Sequence, residues 1–461
     1  MTEVSSAKAS FMRIAVIGSG YVGLVSGTCL AHLGHQVICV DVDPERIRAI
    51  KNATPPFYEP GLPDLLKKVL AAGQLTVSTS VIRAVATSDI TILAVGTPCR
   101  DGDIDLSFIR QAAAEVGQGM RENPAYHVVV VKSTVVPGTT DSVVRSIVQE
   151  ASGRTSAQFG LCMNPEFLRE GSAVSDFLEP DRIVIGQSDE RAGQPLGEVY
   201  KPFTCPKIFT TLQNAEMIKY ASNSLLATLI SFSNEIASLC EATPHTDVEE
   251  VLDGVHLDRR LSPVLDGRRI SPGILSYLRA GCGFGGSCLP KDVAALRMFG
   301  RKRGVRPHLL DAVLTINSDR PSKLVSLAES AVGNLRGLTV AVLGIAFKPG
   351  TDDLRDSPAL ALIEVLASKG ARVRAYDPFV RSLPRHDVAV CASVEEALCG
   401  CDVAIVASAL PELATLDWES LSRVMRSPSV IDGRNALRGV EFPGSVKYLP
   451  IGQHAEGAIA K

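Results

Sequence analysis

Arg13-Ile14-Ala15-Val16-Ile17-Gly18-Ser19-Gly20-Tyr21-Val22-Gly23 decides how the rest of the chain is read. Arg13–Ile17 is a short apolar run, as in a buried strand. Val22–Leu33 follows with helical character, and Gln36–Asp41 reads as the next strand. Strand, glycine turn, helix and strand make a βαβ unit, and the G-x-G-x-x-G spacing gives each glycine a task. Gly18 makes the tight turn, Gly20 lets the backbone approach a pyrophosphate, and Gly23 lets the helix pack close to the sheet. The helix N-terminus, with Tyr21 and Val22 in its first turn, offers N–H groups to phosphate. Asp41 closes the second strand about 20 residues on, where its carboxylate accepts ribose hydroxyls and repels a 2′-phosphate. NAD is therefore favoured over NADP. Arg46 either stacks on the adenine or is a solvated helix arginine, and Thr97, after the strand Ile90–Val95, is placed to line the same crevice.

Further apolar runs at His127–Lys132 and Arg182–Ile185 extend the pattern, with helical stretches between them. Alternating strands and helices imply a parallel, doubly wound sheet. From Asn214 to about Asp319 the texture becomes helical, with a long proline-free helix over Glu216–Glu241. Asp258–Phe284 is a loop-rich interruption, followed by helices at Lys291–Arg303 and Pro307–Arg320. A second α/β pattern has strands at Leu338–Leu343, Arg372–Tyr376, Val403–Ala407 and Ser429–Ile431, and a helix at Ser357–Lys369. The expected fold class is α/β, with two Rossmann-like doubly wound domains joined by a central helical region. The expected boundaries are 11–213, 214–325 and 326–450, with 451–461 as a tail and Gly452–Lys461 frayed.

Composition narrows the function. The 461 residues are 46% apolar and 21% charged, with a formal net charge of −3. Near-neutral charge speaks against a nucleic-acid binder or a polybasic membrane protein. Ile14–Val25, broken by glycines, is shorter than the roughly 20 apolar residues that span a bilayer. Eleven cysteines, odd in number, irregularly spaced and preceded by no signal peptide, argue for a reducing cytoplasm rather than a disulfide framework. No zinc-type histidine spacing is present, Cys399 and Cys401 form only a lone C-x-C, and no metal is expected.

Four segments are polar where a loop need not be. They are Lys132-Ser133-Thr134, Asn164 to Gly171, the pair Lys219 and Asn223, and Gly283 to Asp292. Lys219 and Asn223 are four apart and share a helix face. The glycine-rich loop delivers Cys288 to a helix start, where the N-terminal dipole favours thiolate. Asp292 lies one turn further. A cysteine in an NAD enzyme traps an aldehyde as a thiohemiacetal, which is oxidised to a thioester and hydrolysed to an acid. Taken singly, Glu166 also reads as a helix-dipole cap, and Lys219 as a surface lysine.

In order along the chain, IAVIGSGYVGL (14–24), FYEPGL (57–62), VVVKSTVVPGTT (129–140), MNPEFLREGSA (163–173), DRIVIG (181–186), KYASNSLLATLISFSNEIA (219–237), GCGFGGSCLPKD (281–292), AFKPGTDDLRDSP (346–358), YDP (376–378) and DGRN (432–435) resemble the UDP-glucose/GDP-mannose (nucleotide-sugar) 6-dehydrogenase family. The resemblance is closest to the branch acting on UDP-glucose, and it spans about Arg13 to Asn435. It implies a four-electron oxidation of a sugar C6 alcohol to a carboxylate with two NAD per product, in a homodimer built on the central helical region. Under it Cys288 is the catalytic cysteine. Lys219, Asn223 and Asp292 polarise the reacting oxygen and position water, and Thr134 and Glu166 hold water and move protons. The division of acid–base work between Glu166 and Asp292 stays open.

The resemblance further places Phe167, Leu168, Arg169 and Glu170 in a loop over the sugar and diphosphate, joined by Lys219 and Asn223. Tyr277, Leu278, Arg279 and Gly285 hold the nucleotide, Lys348 and Arg434 reach the substrate, and Arg355 and Thr134 the cofactor. An arginine crosses from the partner subunit, with Arg260 favoured among Arg259, Arg260, Arg268 and Arg269. The segment Asp258–Arg279 is longer than the family pattern, so UDP-glucose competes with TDP-glucose, GDP-mannose and UDP-N-acetyl sugars as substrate. A non-catalytic sensor of NAD and nucleotide sugar is a remote alternative, opposed by the intact Cys288, Lys219, Asn223 and Asp292.

Overall fold

Ile14 and Val16 enter one apolar layer, while Ala15 and Ile17 enter another. Side chains of a strand alternate between faces, so this strand is covered on both sides. It belongs to a computed structural model that describes residues 11–100, 102–383 and 388–454. The chain divides into two units, one up to Ser222 and one from Asn223.

The first unit is built on β1 (Arg13–Ile17), β2 (Gln36–Val40), β3 (Leu75–Ser78), β4 (Ile90–Leu93), β5 (His127–Val131), β6 (Phe159–Met163), β7 (Ile183–Gln187) and β8 (Lys207–Thr210). They form one sheet in the order β8-β7-β6-β5-β4-β1-β2-β3. Its β3-β2-β1-β4-β5-β6 part has the doubly wound dinucleotide order. The expectation of a parallel sheet is corrected at one place: β6 and β7 pair antiparallel. Helix α1 (Tyr21–His32) follows β1 directly.

The second unit repeats the topology. Strands β9 (Thr339–Leu343), β10 (Arg372–Tyr376), β11 (Ala389–Val390), β12 (Val403–Val406), β13 (Ser429–Asp432) and β14 (Lys447–Pro450) lie in the order β11-β10-β9-β12-β13-β14. The echo extends to single hydrogen bonds. Gly18 (φ 95°) and Gly344 (φ 89°) both turn left-handed after the first strand. Their amides donate to the carbonyls of Val40 and Tyr376, at 2.8 and 2.7 Å. Asp41 accepts from Ser19 N at 2.9 Å, and Asp377 from Ile345 N at 2.9 Å.

Helices α2 (Leu212–Glu241), α3 (Val248–His256), α4 (Leu289–Lys302), α5 (His308–Val332) and α6 (Pro358–Ser368) complete the frame used below. Leu212 and Ala215 belong to the first core, Ala237 and Cys240 to the second. The helix expected over Pro307–Arg320 runs on to Val332 through Pro321, which is buried. Proline removes one helical N–H, and the buried apolar face beyond it, with Leu324, Val325 and Ala328, outweighs that loss. The interruption at Asp258–Phe284 holds a short hairpin, Val264–Leu265 with Arg268–Arg269. Its turn residues Asp266 (φ 49°) and Gly267 (φ 74°) are both left-handed, as a tight two-residue hairpin requires. The tail begins ordered, contrary to expectation: Gly452 N donates to Glu241 at 3.0 Å, and Gln453 bridges to Asp247. Residues 455–461 lie outside the described residues. Among those described, no helix is long and apolar enough to cross a membrane.

Candidate active site

The glycine turn is sterically constrained. A Cβ on Gly23 would lie 1.8 Å from Gly18 O, and one on Gly18 would lie 2.7 Å from Ala94 O. Around Gly20 a Cβ would meet nothing within 4 Å, so the protein leaves that side open for a ligand. Asp41 is 7% exposed; besides Ser19 N it accepts from Asp43 N at 3.1 Å and Arg46 Nη1 at 3.0 Å. Arg46 thus neither stands alone in solvent nor is free to stack without leaving Asp41. Gly18, Gly20, Asp41, Arg46, Phe108 and Glu115 line a cavity of about 520 Å³. That volume, the open backbone at Gly20 and the ribose-type acid suit a dinucleotide. Thr97 is not among the lining residues; its hydroxyl donates to Thr134 O at 2.9 Å, tying two strand ends together.

The second set in the first unit centres on Glu166 and Lys219, an ion pair at 2.8 Å with side chains only 6% and 4% exposed. Burial pushes the Glu166 carboxyl up, but the Lys219 charge and hydrogen bond, the Leu168 N–H and the Lys132 charge outweigh it. The net direction is downward, so Glu166 is held ionised. Burial lowers Lys132 to about 8, against the pull of Glu166. Lys132 Nζ donates to Asn164 Oδ1 at 2.9 Å, which also accepts from Tyr200 OH at 2.6 Å. The Phe167 ring lies 5.6 Å from Lys219 Nζ and 3.9 Å from the Arg182 guanidinium. Arg169 is paired with Asp176 at 2.6 Å. The loop after Thr134 is pinned from α2, where Glu216 accepts from Gly138 N and Thr140 N at 2.5 and 2.8 Å.

In the second unit Cys288 is the N-cap of α4 and only partly buried. Its Sγ lies 3.5 Å from Ser287 Oγ. Asp292, 1% exposed, sits one turn on; it accepts from Asn223 Nδ2 at 2.6 Å and pairs with Lys291. The loop leading to Cys288 is clamped by side chains. Asn317 on α5 accepts from Phe284 N at 2.7 Å and donates to Phe284 O at 3.0 Å, while Asn234 on α2 accepts from Gly281 N at 2.7 Å. Buried Arg320 donates to Gly281 O at 2.9 Å. A Cβ on Gly285 would lie 2.3 Å from Asp356 O, and one on Gly286 2.7 Å from the Phe347 ring. These glycines let the loop press against the segment that carries Lys348 and Arg355.

Lys348 Nζ stands 5.5 Å from the Phe347 ring centre. Arg355 donates to Asp353 at 2.8 Å and is largely exposed. Arg434 Nε donates to Ala407 O at 2.9 Å, and its Nη1 lies 2.7 Å from where a Gly281 Cβ would sit. Tyr277 ends a short 3-10 turn, and Leu278 O accepts from His256 at 3.0 Å. Arg279 pairs with Glu249 and Asp253, each at 2.6 Å. Arg260 is exposed and bonds to Asp258 at 3.0 Å.

Reading the sequence alone missed Phe108 and Glu115, far from the glycine motif, and the clamps Asn234 and Asn317. Only the family stretch containing Asn234 offered a signal. It assigned no role to Glu59, although FYEPGL was singled out.

Comparison with known proteins accounts for most of the chain. Residues 12–204 match the NAD binding domain of the UDP-glucose/GDP-mannose dehydrogenase family, 213–319 its central domain and 341–439 its UDP binding domain. The UDP-glucose 6-dehydrogenase TuaD of Bacillus subtilis is 42% identical over 96% of this chain and 94% of its own length. The UDP-glucose 6-dehydrogenase of Rhizobium meliloti is 40% identical over 96% of this chain and 100% of its own. The solved UDP-glucose dehydrogenase of the archaeon Pyrobaculum islandicum superposes with a TM-score of 0.88 at 39% identity, covering 98% of this chain and 100% of that one. With its NAD-type cradle, buried lysine–glutamate pair and N-cap cysteine, the chain belongs to the UDP-glucose/GDP-mannose dehydrogenase family.

Proposed function

We propose that the chain oxidises the C6 alcohol of UDP-glucose to the carboxylate of UDP-glucuronate, by way of a thioester on Cys288. The sum is RCH2OH + 2 NAD⁺ + H2O → RCOO⁻ + 2 NADH + 3 H⁺. Bound on Gly18, Gly20, Gly23 and Asp41, NAD supplies the hydride acceptor for both oxidations. Lys219 and Asn223, four apart on α2, stabilise the alkoxide and then the oxyanion at C6. The Cys288 sulfur bonds to the aldehyde carbon, and the second oxidation leaves a thioester. A water activated by Glu166 or Asp292, with Thr134 helping to hold it, cleaves that thioester and frees the thiol. Phe167, Leu168, Arg169 and Glu170 cover the sugar and diphosphate, Tyr277, Leu278, Arg279 and Gly285 hold the nucleotide, and Lys348 and Arg434 reach the substrate. In the proposed division, 11–213 holds NAD, 214–325 serves dimerisation and carries Cys288, and 326–450 holds the nucleotide sugar.

The observation that carries this reading is Cys288 itself: a partly exposed thiol at a helix start, with buried Asp292 one turn on. Purified protein given UDP-glucose and NAD is expected to form two NADH per UDP-glucuronate. In a panel with TDP-glucose, GDP-mannose and UDP-N-acetylmannosamine, UDP-glucose should show the highest kcat/KM. One NADH per turnover with free aldehyde, or preference for another sugar, counts against the assignment.

Leu225 (52%), Phe232 (45%) and Leu239 (60%) are exposed at seven-residue spacing along α2. Such a stripe suits a second copy of this chain, and exposed Arg260 would exchange its bond to Asp258 for a contact across it. Light scattering should give the mass of a dimer and Phe232→Glu that of a monomer; a monomeric wild type would remove the shared arginine. Eleven free cysteines suit a reducing cytoplasm.

A further inference from the structure

Glu59 is 2% exposed and far in sequence from everything it holds. Its Oε2 accepts from Gly171 N and its Oε1 from Ala173 N, both at 2.7 Å. Tyr21 OH donates to the same Oε2. Tyr21 opens α1 directly behind Gly20, and its ring packs on Phe57 at 4.8 Å between centres. Gly171 (φ 83°) ends the loop that carries Glu166 to Glu170. One buried carboxylate therefore joins the dinucleotide turn to the far end of the loop over the sugar. Three donors engage its two oxygens, so a shift of either partner breaks a charge-assisted hydrogen bond in a site shielded from water. Burial, the Glu59 hydrogen bond and the charges of Glu59 and Glu170 push the Tyr21 hydroxyl up, keeping it a donor throughout the neutral range.

We propose that Glu59 is a positioning residue that couples the two ligands: with Tyr21 it links the NAD-binding turn to the nucleotide-sugar loop, so that each ligand raises the affinity for the other. This rests on the function proposed above, which assigns the two segments to those ligands. Coupling between two sites is reciprocal, and the Tyr21–Glu59–Gly171 link is the physical connection through which it would pass. In Tyr21→Phe the ring stays on Phe57 and both loop amides keep their acceptor. In Glu59→Gln one oxygen becomes a donor facing a donor.

The test is calorimetric titration of UDP-glucose with and without saturating NADH, and of NADH with and without UDP-glucose, the reduced cofactor being used so that no turnover occurs. Wild type should show a mutual affinity gain of about fivefold or more. Tyr21→Phe should abolish the gain, read as the ratio of each Kd with and without the other ligand, whatever the variant does to the separate values. Glu59→Gln should abolish it and also raise KM for UDP-glucose about tenfold, because the loop amides lose a charged acceptor. The double variant should be no worse than Glu59→Gln, since both act on one link. A purely structural Glu59 would lower Tm and leave the coupling factor intact. If Glu59→Gln fails to fold, Tyr21→Phe decides alone. Wild type that binds NADH but not UDP-glucose overturns the substrate reading and the link with it. Wild type that binds both, with no gain or with Tyr21→Phe keeping the gain, overturns the link alone.

Discussion

Cys288→Ser will retain wild-type NAD affinity and thermal stability, yet lose roughly 10⁴-fold in UDP-glucuronate formation, about 5.4 kcal/mol of barrier. Serine is a preferred helix N-cap, so the start of α4 at this position keeps its geometry or gains a cap. The hydroxyl differs in chemistry. A thiolate is a strong nucleophile near neutral pH and a good leaving group when water cleaves the acyl bond, while an alkoxide is neither. Asp292 and its bond from Asn223 remain, because neither depends on the sulfur. Stopped-flow NADH absorbance and product mass would measure it. Steady formation of two NADH per product by the serine variant would exclude the covalent route.

Lys219→Met will be nearly as damaging, for a different reason. It removes the cation proposed to stabilise charge at C6, worth about 10²–10³ in kcat. It also strands Glu166, 6% exposed, without its partner at 2.8 Å, and breaking such a buried pair from one side costs about 3–5 kcal/mol. The pH dependence follows from the direction of the shift. Glu166 is held below the ordinary carboxylate range, so its stabilisation is full above that range. That contribution fades as pH falls through the range towards the lowered folded value. Without Lys219 the opposing effect of burial gains weight and the carboxyl moves up, so the acid limb of kcat against pH should shift to higher pH. Thermal melts and pH–rate profiles of both proteins test this. An unchanged acid limb would show that Glu166 does not titrate with activity.

These outcomes depend on features of unequal legibility. The β1 turn was readable because its requirements are local. Gly18 must turn left-handed beside Ala94, and Gly23 must clear Gly18 O, so glycine is imposed at both positions and the spacing survives in the text. Strands β3 (LTVS) and β8 (KIFT) were not readable. They lie at the two edges of the sheet, half exposed, and carry no continuous apolar run. Strand β6 is fully buried, yet FGLCM is too short to separate from a helix segment by periodicity.

The site divides in the same way. The residue order alone named a cofactor turn, an acid at the end of the second strand and a cysteine entering a helix, since each is a contact among neighbours or a motif a few residues long. Tertiary structure decided which polar groups are spent on one another. It gave Arg279 to Glu249 and Asp253, Arg46 to Asp41, and Asn317 to the backbone of Phe284. It also brought Glu59 against amides more than a hundred positions away. Such pairings leave no periodic trace in the chain, because a buried carboxylate is satisfied by whichever donors the packed layers carry to it, and packing sums over contacts that no local window contains.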